Sequence, residues 1–221
     1  MKIAVLRETA TGEKRVSASP ETVRKFAALG ASLAVERGAG LSASVSDAEY
    51  EAAGATLGDR ATVVKDADII LCVQGPDVAS LAGAATGALI VGGLSPFGER
   101  ARVDGYAAAG FEALAMEFMP RITRAQSMDI LSSQSNLSGY KAVLDAAAEY
   151  GRAFPMMMTA AGTVSAARVF VMGVGVAGLQ AIATARRLGA QVSATDVRAA
   201  TKEQIESLGA KPIFVEAVKG I

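Results

Sequence analysis

Residues 168–196 read RVFVMGVGVAGLQAIATARRLGAQVSATD, and this stretch decides the fold. It begins with an apolar run, Val169–Met172, and continues with an apolar helical pattern over 176–188. A second short apolar segment, 191–195, follows after Gly189. Strand, helix and strand in this order predict a βαβ unit with parallel strands.

The turn between the first strand and the helix carries Gly173, Gly175 and Gly178 in G-x-G-x-x-G spacing. In such turns the first glycine permits the tight change of direction, the second lets a pyrophosphate approach the backbone, and the third lets helix and strand pack closely. The N–H groups and the dipole at the helix start favour the phosphate charge. Three glycines are weak evidence in a chain with 23, but strand, glycines, helix and acid together predict a dinucleotide site.

An acidic residue closes the unit, because Asp196 lies 18 residues after Gly178. Dinucleotide-binding units place a ribose-binding carboxylate near this position. Such a carboxylate accepts hydrogen bonds from the ribose of NAD and repels the 2′-phosphate of NADP, so we expect NAD(H). Arg198 could pair with a phosphate, but it could equally stack on adenine or bond to the pyrophosphate.

The composition excludes several classes of function. The chain has 221 residues, enough for one large or two small domains, and 51% of them are hydrophobic. Its 22 basic and 22 acidic residues leave no net charge, and it has no Trp, so we expect no nucleic-acid partner. It has no histidine, which excludes histidine bases and histidine metal sites, and we predict no metal site.

Two further features concern the compartment. The single cysteine, Cys72, lies in an apolar run, so we expect a buried thiol, no disulfide framework and a reducing cytoplasm. No apolar run approaches the length of a transmembrane helix, so we predict no membrane-spanning segment in this chain.

The first 115 residues alternate between apolar strand patterns and amphipathic helical patterns. This alternation predicts a parallel sheet that is covered by helices on both faces. The strand candidates are Ile3–Leu6, Ser32–Val35, Ile69–Val73, Leu89–Val91 and Ala113–Ala115, with helical patterns at about 21–29, 47–53, 60–65 and 98–109. The first strand runs into a charged loop, 7–16, which could either face a site or be an ordinary solvated loop.

The stretch 116–136, MEFMPRITRAQSMDILSSQSN, mixes polar side chains with methionine, isoleucine and leucine. A simple surface linker would be richer in glycine and proline, so we expect this stretch to pack at a domain junction. Buried polar groups there need partners, which either a ligand or a polar network between two domains would supply.

A long helical pattern at 133–151 follows and predicts a connection between two domains. We predict an N-terminal α/β domain at 1–132 and the first half of a nucleotide-binding domain at 152–221. This second domain has a β-α-β-α-β unit over 168–215, ending in a strand at Pro212–Val215. The fold class is therefore α/β, with two Rossmann-like parallel-sheet domains linked by a long helix. We expect the second domain to be truncated, because such folds normally need a second βαβ half.

Three long segments carry a resemblance to a known family. They are MPRITRAQSMDILSSQSNLSGYKAV at 119–143, RAFPMMMTAAGTV at 152–164, and the stretch 173–211 around the glycine turn. The sequence resembles the NAD(H)-binding component of the proton-translocating nicotinamide nucleotide transhydrogenases over nearly all of residues 1–215.

This resemblance implies an enzyme that transfers hydride between NAD(H) on this component and NADP(H) on a separate component. The reaction is coupled to proton movement through a membrane-spanning component. The resemblance also implies a homodimer that is cytoplasmic and is held at the inner face of the membrane by its partners.

The resemblance also implies a set of cofactor-binding residues. The nicotinamide and its ribose would contact Arg121, Gln126, Asp129 and Ser132, beside Ile122, Thr123, Arg124, Ser127 and Met128. The pyrophosphate would meet Gly173, Gly175, Val176, Ala177 and Gly178, and the adenosine ribose would meet Asp196, Val197 and Arg198. Direct hydride transfer needs proximity and exclusion of water, so we expect positioning residues and no catalytic proton donor.

Two alternatives remain open at this stage. The segment K-I-A-V-L-R-E with the later G-E-K-R-V-S-A-S-P, which includes Arg15, also resembles alanine dehydrogenase, an amino-acid dehydrogenase. That reaction requires a proton acceptor, and the histidine and lysine of that family are absent here from 91–95 and 72–76. The other alternative is a non-catalytic fragment that only binds NAD.

Overall fold

The structure is a computed structural model that describes residues 1–120 and 122–214. Its contacts divide the chain into two compact units, Met1–Met128 and a second unit that starts at Asp129. Arg121 and residues 215–221 lie outside the described part of the chain.

The first unit is built on a six-stranded sheet in which every neighbouring pair is parallel. The strands are β1 Lys2–Val5, β2 Ser32–Glu36, β3 Thr56–Gly58, β4 Ile69–Gln74, β5 Leu89–Gly93 and β6 Glu112–Ala115, in the order β3-β2-β1-β4-β5-β6. Its helices are α1 Pro20–Ala28, α2 Asp47–Ala52, α3 Arg60–Val64 and α4 Arg100–Ala108. The predicted α/β class with parallel sheets is confirmed. The strand β3 was not predicted, because three residues are too few to show a periodic pattern.

Local sequence signals explain where the helices of this unit begin. The Ser19 hydroxyl accepts a hydrogen bond from the Thr22 N–H at 3.2 Å, and Pro20 occupies the first turn of α1. Before α2, Ser46 and Glu49 form a reciprocal capping box. These side chains satisfy N–H groups that have no partner within their helices.

The core of this unit lies on both faces of the sheet. In β1 and just after it, Ile3 and Val5 belong to one buried cluster, whereas Ala4 and Leu6 belong to another. Successive side chains of a strand point to opposite faces, so both faces are covered as the sequence predicts. Full burial of an aliphatic side chain contributes about 1.5–3 kcal/mol, so the two clusters supply most of the driving force for this sheet.

The second unit begins with a long helix and contains a three-stranded parallel sheet. Its elements are α5 Ile130–Glu149, β7 Met157–Thr159, β8 Gly162–Val164, β9 Arg168–Met172, α6 Val176–Arg187, β10 Gln191–Thr195, α7 Lys202–Ser207 and β11 Lys211–Pro212. The parallel sheet has the order β11-β10-β9, and β7 and β8 form a separate antiparallel hairpin.

Three details of this unit differ from the sequence prediction. The helix predicted at 133–151 starts earlier, because the Asp129 carboxylate accepts a hydrogen bond from the Ser132 N–H at 3.1 Å and caps α5. The β7–β8 hairpin was not predicted. The third strand was predicted at Pro212–Val215, but it occupies Lys211–Pro212, and Val215 is outside the described residues. The proposed domain boundaries at 132 and 152 stay a prediction.

The helices α5 and α6 pack closely through a glycine. A methyl group at Gly139, in the middle of α5, would come within 2.0 Å of the carbonyl oxygen of Ala177, in the first turn of α6. The Asn136 amide, one turn earlier, donates a hydrogen bond to the Gln180 side-chain oxygen at 3.2 Å. The long helix is therefore fixed against the start of α6.

This contact predicts the effect of replacing Gly139 with alanine. Intrinsic helix propensity alone would make Gly139→Ala stabilising by about 1 kcal/mol. We expect the opposite sign, a loss of at least about 2 kcal/mol, because the added methyl would overlap backbone of α6 that cannot move aside easily.

Urea unfolding of both variants and the parent chain measures this difference. Ser138→Ala is the matched control, since Ser138 is exposed in the same helix and the change also raises helix propensity. A Gly139→Ala protein as stable as its control would contradict the packing described here.

Candidate functional site

The turn between β9 and α6 shows why two of its glycines are required. Gly173 has a φ of +91°, which strains any residue with a side chain, and its N–H donates to the Thr195 carbonyl at 2.9 Å. A methyl group at Gly178 would lie 1.9 Å from the Gly173 carbonyl oxygen. Glycine at 173 therefore permits the turn, and glycine at 178 lets the helix start directly against it.

Gly175 differs from both neighbours. It has a φ of −85°, which any residue adopts, and a methyl group placed there would meet no atom within 4 Å. No packing or backbone reason within the described chain therefore requires glycine at 175. The space above it is open to a ligand, as expected where a pyrophosphate approaches the backbone.

The start of α6 offers hydrogen-bond donors beside this space. The N–H groups of Val176, Ala177 and Gly178 are in the first turn and have no acceptor within the helix. No side chain of the described chain caps this helix. Donors at a helix N-terminus and the helix dipole together suit an anion such as a phosphate.

The structure brings Asp196 to this same turn. Its carboxylate accepts a hydrogen bond from the Val174 N–H at 2.7 Å and others from the backbone and guanidinium of Arg198. The Arg198 guanidinium and these N–H groups hold the pKa of the Asp196 carboxyl well below its usual range, so it stays ionised. Its side chain is 6% exposed under the arginine. Val197, beside it, is fully exposed.

The other predicted contacts fall in two places. Ile122, Thr123, Arg124, Gln126, Ser127 and Met128 are exposed residues of the first unit, most of them in a short 3₁₀ helix at Thr123–Met128. Asp129 and Ser132 belong to the second unit, where the Ser132 hydroxyl donates to the Asp129 carboxylate at 2.6 Å. Arg121 lies outside the described residues.

The charged loop after β1 lines a separate cavity of about 180 Å³ in the first unit. Residues from this loop and from the end of β4 contribute, and so do Arg60 and Arg102, which sequence analysis did not single out. The Glu8 carboxylate accepts hydrogen bonds from the N–H groups of Val73 and Gln74 at 2.6 and 3.2 Å. Ligand pockets typically measure about 300–1,000 Å³, so this cavity is too small for a dinucleotide.

The cavity also shows no sign of nucleophilic or metal chemistry. Cys72 lines it, and burial raises the pKa of its thiol to about 12, so the thiol stays protonated. Within residues 1–120 and 122–214, no group of acidic and cysteine side chains is arranged to hold a metal ion. Among the same described residues, no helix has both the length and the apolar character needed to cross a membrane.

Comparison with known proteins decides the family. Residues 4–138 match the family described as "Alanine dehydrogenase/PNT, N-terminal domain", and residues 142–219 match "Alanine dehydrogenase/PNT, C-terminal domain". The chain belongs to the alanine dehydrogenase/PNT family. The predicted resemblance is thereby confirmed.

Individual relatives agree with this assignment. The first of the separate chains that form NAD(P) transhydrogenase subunit alpha in Rhodospirillum rubrum is 56% identical, over 98% of this chain and 58% of the relative. The protein of the same name from Rickettsia prowazekii is 50% identical, over the same shares of both chains. A crystal structure of transhydrogenase from Sinorhizobium meliloti superposes with a TM-score of 0.93 at 56% identity, over 98% of this chain and 62% of that one. The chain thus spans somewhat more than half the length of the relatives it matches.

The glycine turn yields a prediction about stability. Gly178→Ala should destabilise the protein by at least about 2 kcal/mol, because its methyl would overlap the Gly173 carbonyl. Gly175→Ala should change stability by less than about 0.5 kcal/mol, because its methyl enters open space. Chemical denaturation of the two variants side by side measures the difference. Equal losses in both would show that the turn is not packed as described.

Proposed function

We propose that this chain is the NAD(H)-binding component of a proton-translocating transhydrogenase. In this role it takes part in hydride transfer between NAD(H), which it binds, and NADP(H), which a partner component holds. The observation that carries the proposal is the site at the start of α6, where open space over Gly175, helix N–H donors and ionised Asp196 lie together. The names of the relatives at 50 and 56% identity support the reaction.

The described residues fit a dinucleotide at this site. The N–H groups at the start of α6 would bind the pyrophosphate, and Gly175 leaves room for it. Asp196, fixed to the turn by the Val174 N–H, would accept hydrogen bonds from the adenosine ribose. A carboxylate there favours a 2′-hydroxyl over a 2′-phosphate, which is why NAD(H) rather than NADP(H) is assigned to this component.

When bound, the nicotinamide ring supplies the hydride chemistry, and the chain itself binds, orients and excludes water. We assign the nicotinamide end to Arg121, Gln126, Asp129 and Ser132, beside Ile122, Thr123, Arg124, Ser127 and Met128. In the second unit, the Asp129 carboxylate and Ser132 are held together at the first turn of α5. We assign a positioning role to all of these residues, since direct hydride transfer between two rings needs no proton acceptor.

The proposed function also gives the organisation and the partners. We propose an N-terminal domain at 1–132, a linking helix at 133–151 and an incomplete nucleotide-binding domain at 152–221. The partners would be the membrane-spanning and NADP(H)-binding components and a second copy of this chain. The component would then lie on the cytoplasmic side, at the inner face of the membrane.

An alanine dehydrogenase-like activity is the second candidate, because the matched family includes alanine dehydrogenases. Amino-acid oxidation needs a proton acceptor, and the chain has no histidine. Arg15, which the sequence resemblance assigns to a substrate carboxylate in that family, donates a hydrogen bond to Glu13 at 2.6 Å instead. These observations favour the transhydrogenase reaction.

Gly175→Ala tests the nucleotide site directly. The methyl would occupy the space assigned to the pyrophosphate while leaving the fold intact. We expect the variant to bind NADH at least about tenfold more weakly, which corresponds to about 1.4 kcal/mol. Titration of NADH followed by its fluorescence measures the dissociation constant.

Gly151→Ala is the matched control, since a methyl there also meets no atom within 4 Å and Gly151 is outside the predicted site. Unchanged NADH binding by Gly175→Ala would contradict the assignment of the turn. Absence of NADH binding by the unmodified chain would favour a non-catalytic role.

The reaction itself is tested by adding the NADP(H)-binding component. We expect NADH to reduce an NADP analogue only when both components are present, as followed by absorbance. NAD reduction that depends on alanine, with the chain alone, would replace the proposed reaction with that of the second candidate.

A further inference from the structure

The carboxylate of Asp196 already has four hydrogen-bond donors. Oδ1 accepts from the Arg198 N–H at 2.8 Å and from Arg198 Nε at 2.9 Å. Oδ2 accepts from the Val174 N–H at 2.7 Å and from Arg198 Nη2 at 3.1 Å. An ionised carboxylate offers about four acceptor positions, so Asp196 has none left for a ribose hydroxyl.

Only two of these four donors can be displaced. The Val174 and Arg198 N–H groups belong to the backbone, and the backbone at Arg198 is held by Thr201, whose hydroxyl and N–H both donate to its carbonyl at 2.8 and 3.1 Å. The guanidinium is different, because the Arg198 side chain is 61% exposed at the end of a long flexible stem. A ribose that binds Asp196 must therefore displace the Arg198 guanidinium.

The guanidinium also changes the charge that a ligand meets. It covers the Asp196 carboxylate, which is 6% exposed, so the pair presents a salt bridge rather than an anion. Its Nη2 atom also donates to the Val174 carbonyl at 3.2 Å, which holds it over the turn. A 2′-phosphate that approaches this position is repelled less than it would be by a bare carboxylate.

We propose that Arg198 is a specificity-determining residue of this site, which competes with the ribose for Asp196 and weakens its discrimination between NAD(H) and NADP(H). The proposal rests on the proposed function, since it requires the adenosine ribose to bind at Asp196. Arg198 thereby lowers the affinity for the preferred nucleotide and raises the affinity for the phosphorylated one.

This role makes the two nucleotides respond in opposite directions to the loss of the arginine. In Arg198→Ala, two acceptor positions on Asp196 become available to the ribose, so NADH should bind more tightly. The uncompensated carboxylate should repel the 2′-phosphate, so NADPH should bind more weakly. A residue that holds the fold or contacts the pyrophosphate would instead weaken both ligands when it is removed.

The test measures NADH binding to the full chain by fluorescence titration and NADPH binding by its displacement of NADH. We expect Arg198→Ala to lower the NADH dissociation constant by about threefold or more and to raise that of NADPH by a similar factor. Arg187→Ala is the matched control, because Arg187 is exposed at the opposite end of α6, and it should leave the ratio of the two constants unchanged.

The remaining outcomes separate the nucleotide site from the role of Arg198. If the unmodified chain binds neither nucleotide, the proposed function and the role of Arg198 are both overturned. If it binds NADH, but Arg198→Ala weakens both nucleotides or changes neither, the nucleotide site stands and the competition by Arg198 is overturned. If Arg187→Ala changes the ratio as much as Arg198→Ala, general electrostatics explain the effect and the specific role is overturned.

Discussion

The second unit depends on the close approach of three pieces of backbone. The end of β9 turns at Gly173, the start of α6 lies against that turn at Gly178, and the middle of α5 lies against α6 at Gly139. Two of these glycines face a carbonyl oxygen at a distance that no side chain tolerates. The consequence for function is local: the crowding below the turn fixes the helix N–H groups, while the space above Gly175 stays open.

Both units use carboxylates to hold the loops that follow parallel strands. Glu8 receives the N–H groups at the end of β4, and Glu117 receives those of Leu94 and Ser95 after β5. Asp196 does the same for Val174 after β9. Backbone donors at strand ends need acceptors once they are partly buried, and an ionised carboxylate is a strong one. At Asp196 the same arrangement places a fixed negative charge beside an open anion site, which combines a structural role with a role in recognition.

Sequence reasoning succeeded where a pattern has one physical meaning. Strand, spaced glycines, helix and terminal acid specified the β9–α6–β10 unit, and the structure brings Asp196 to the turn. It failed where the determining feature is three-dimensional. The strand β3 is too short for a period, the β7–β8 hairpin depends on pairing, and Arg102 reaches the cavity only because the fold brings α4 there. The saturation of Asp196 by Arg198 could not be inferred either, since three roles for that arginine fit the sequence equally well.

The central claim is that a dinucleotide binds across the turn between β9 and α6 and not in the cavity of the first unit. The most direct measurement is a map of backbone amide chemical shifts by NMR during titration with NADH. The account predicts that the largest changes fall on Val174–Gly178 and on Asp196–Arg198, where the pyrophosphate and the adenosine ribose would lie. Changes concentrated on residues 7–10 and 74–77, which line the cavity, would contradict it.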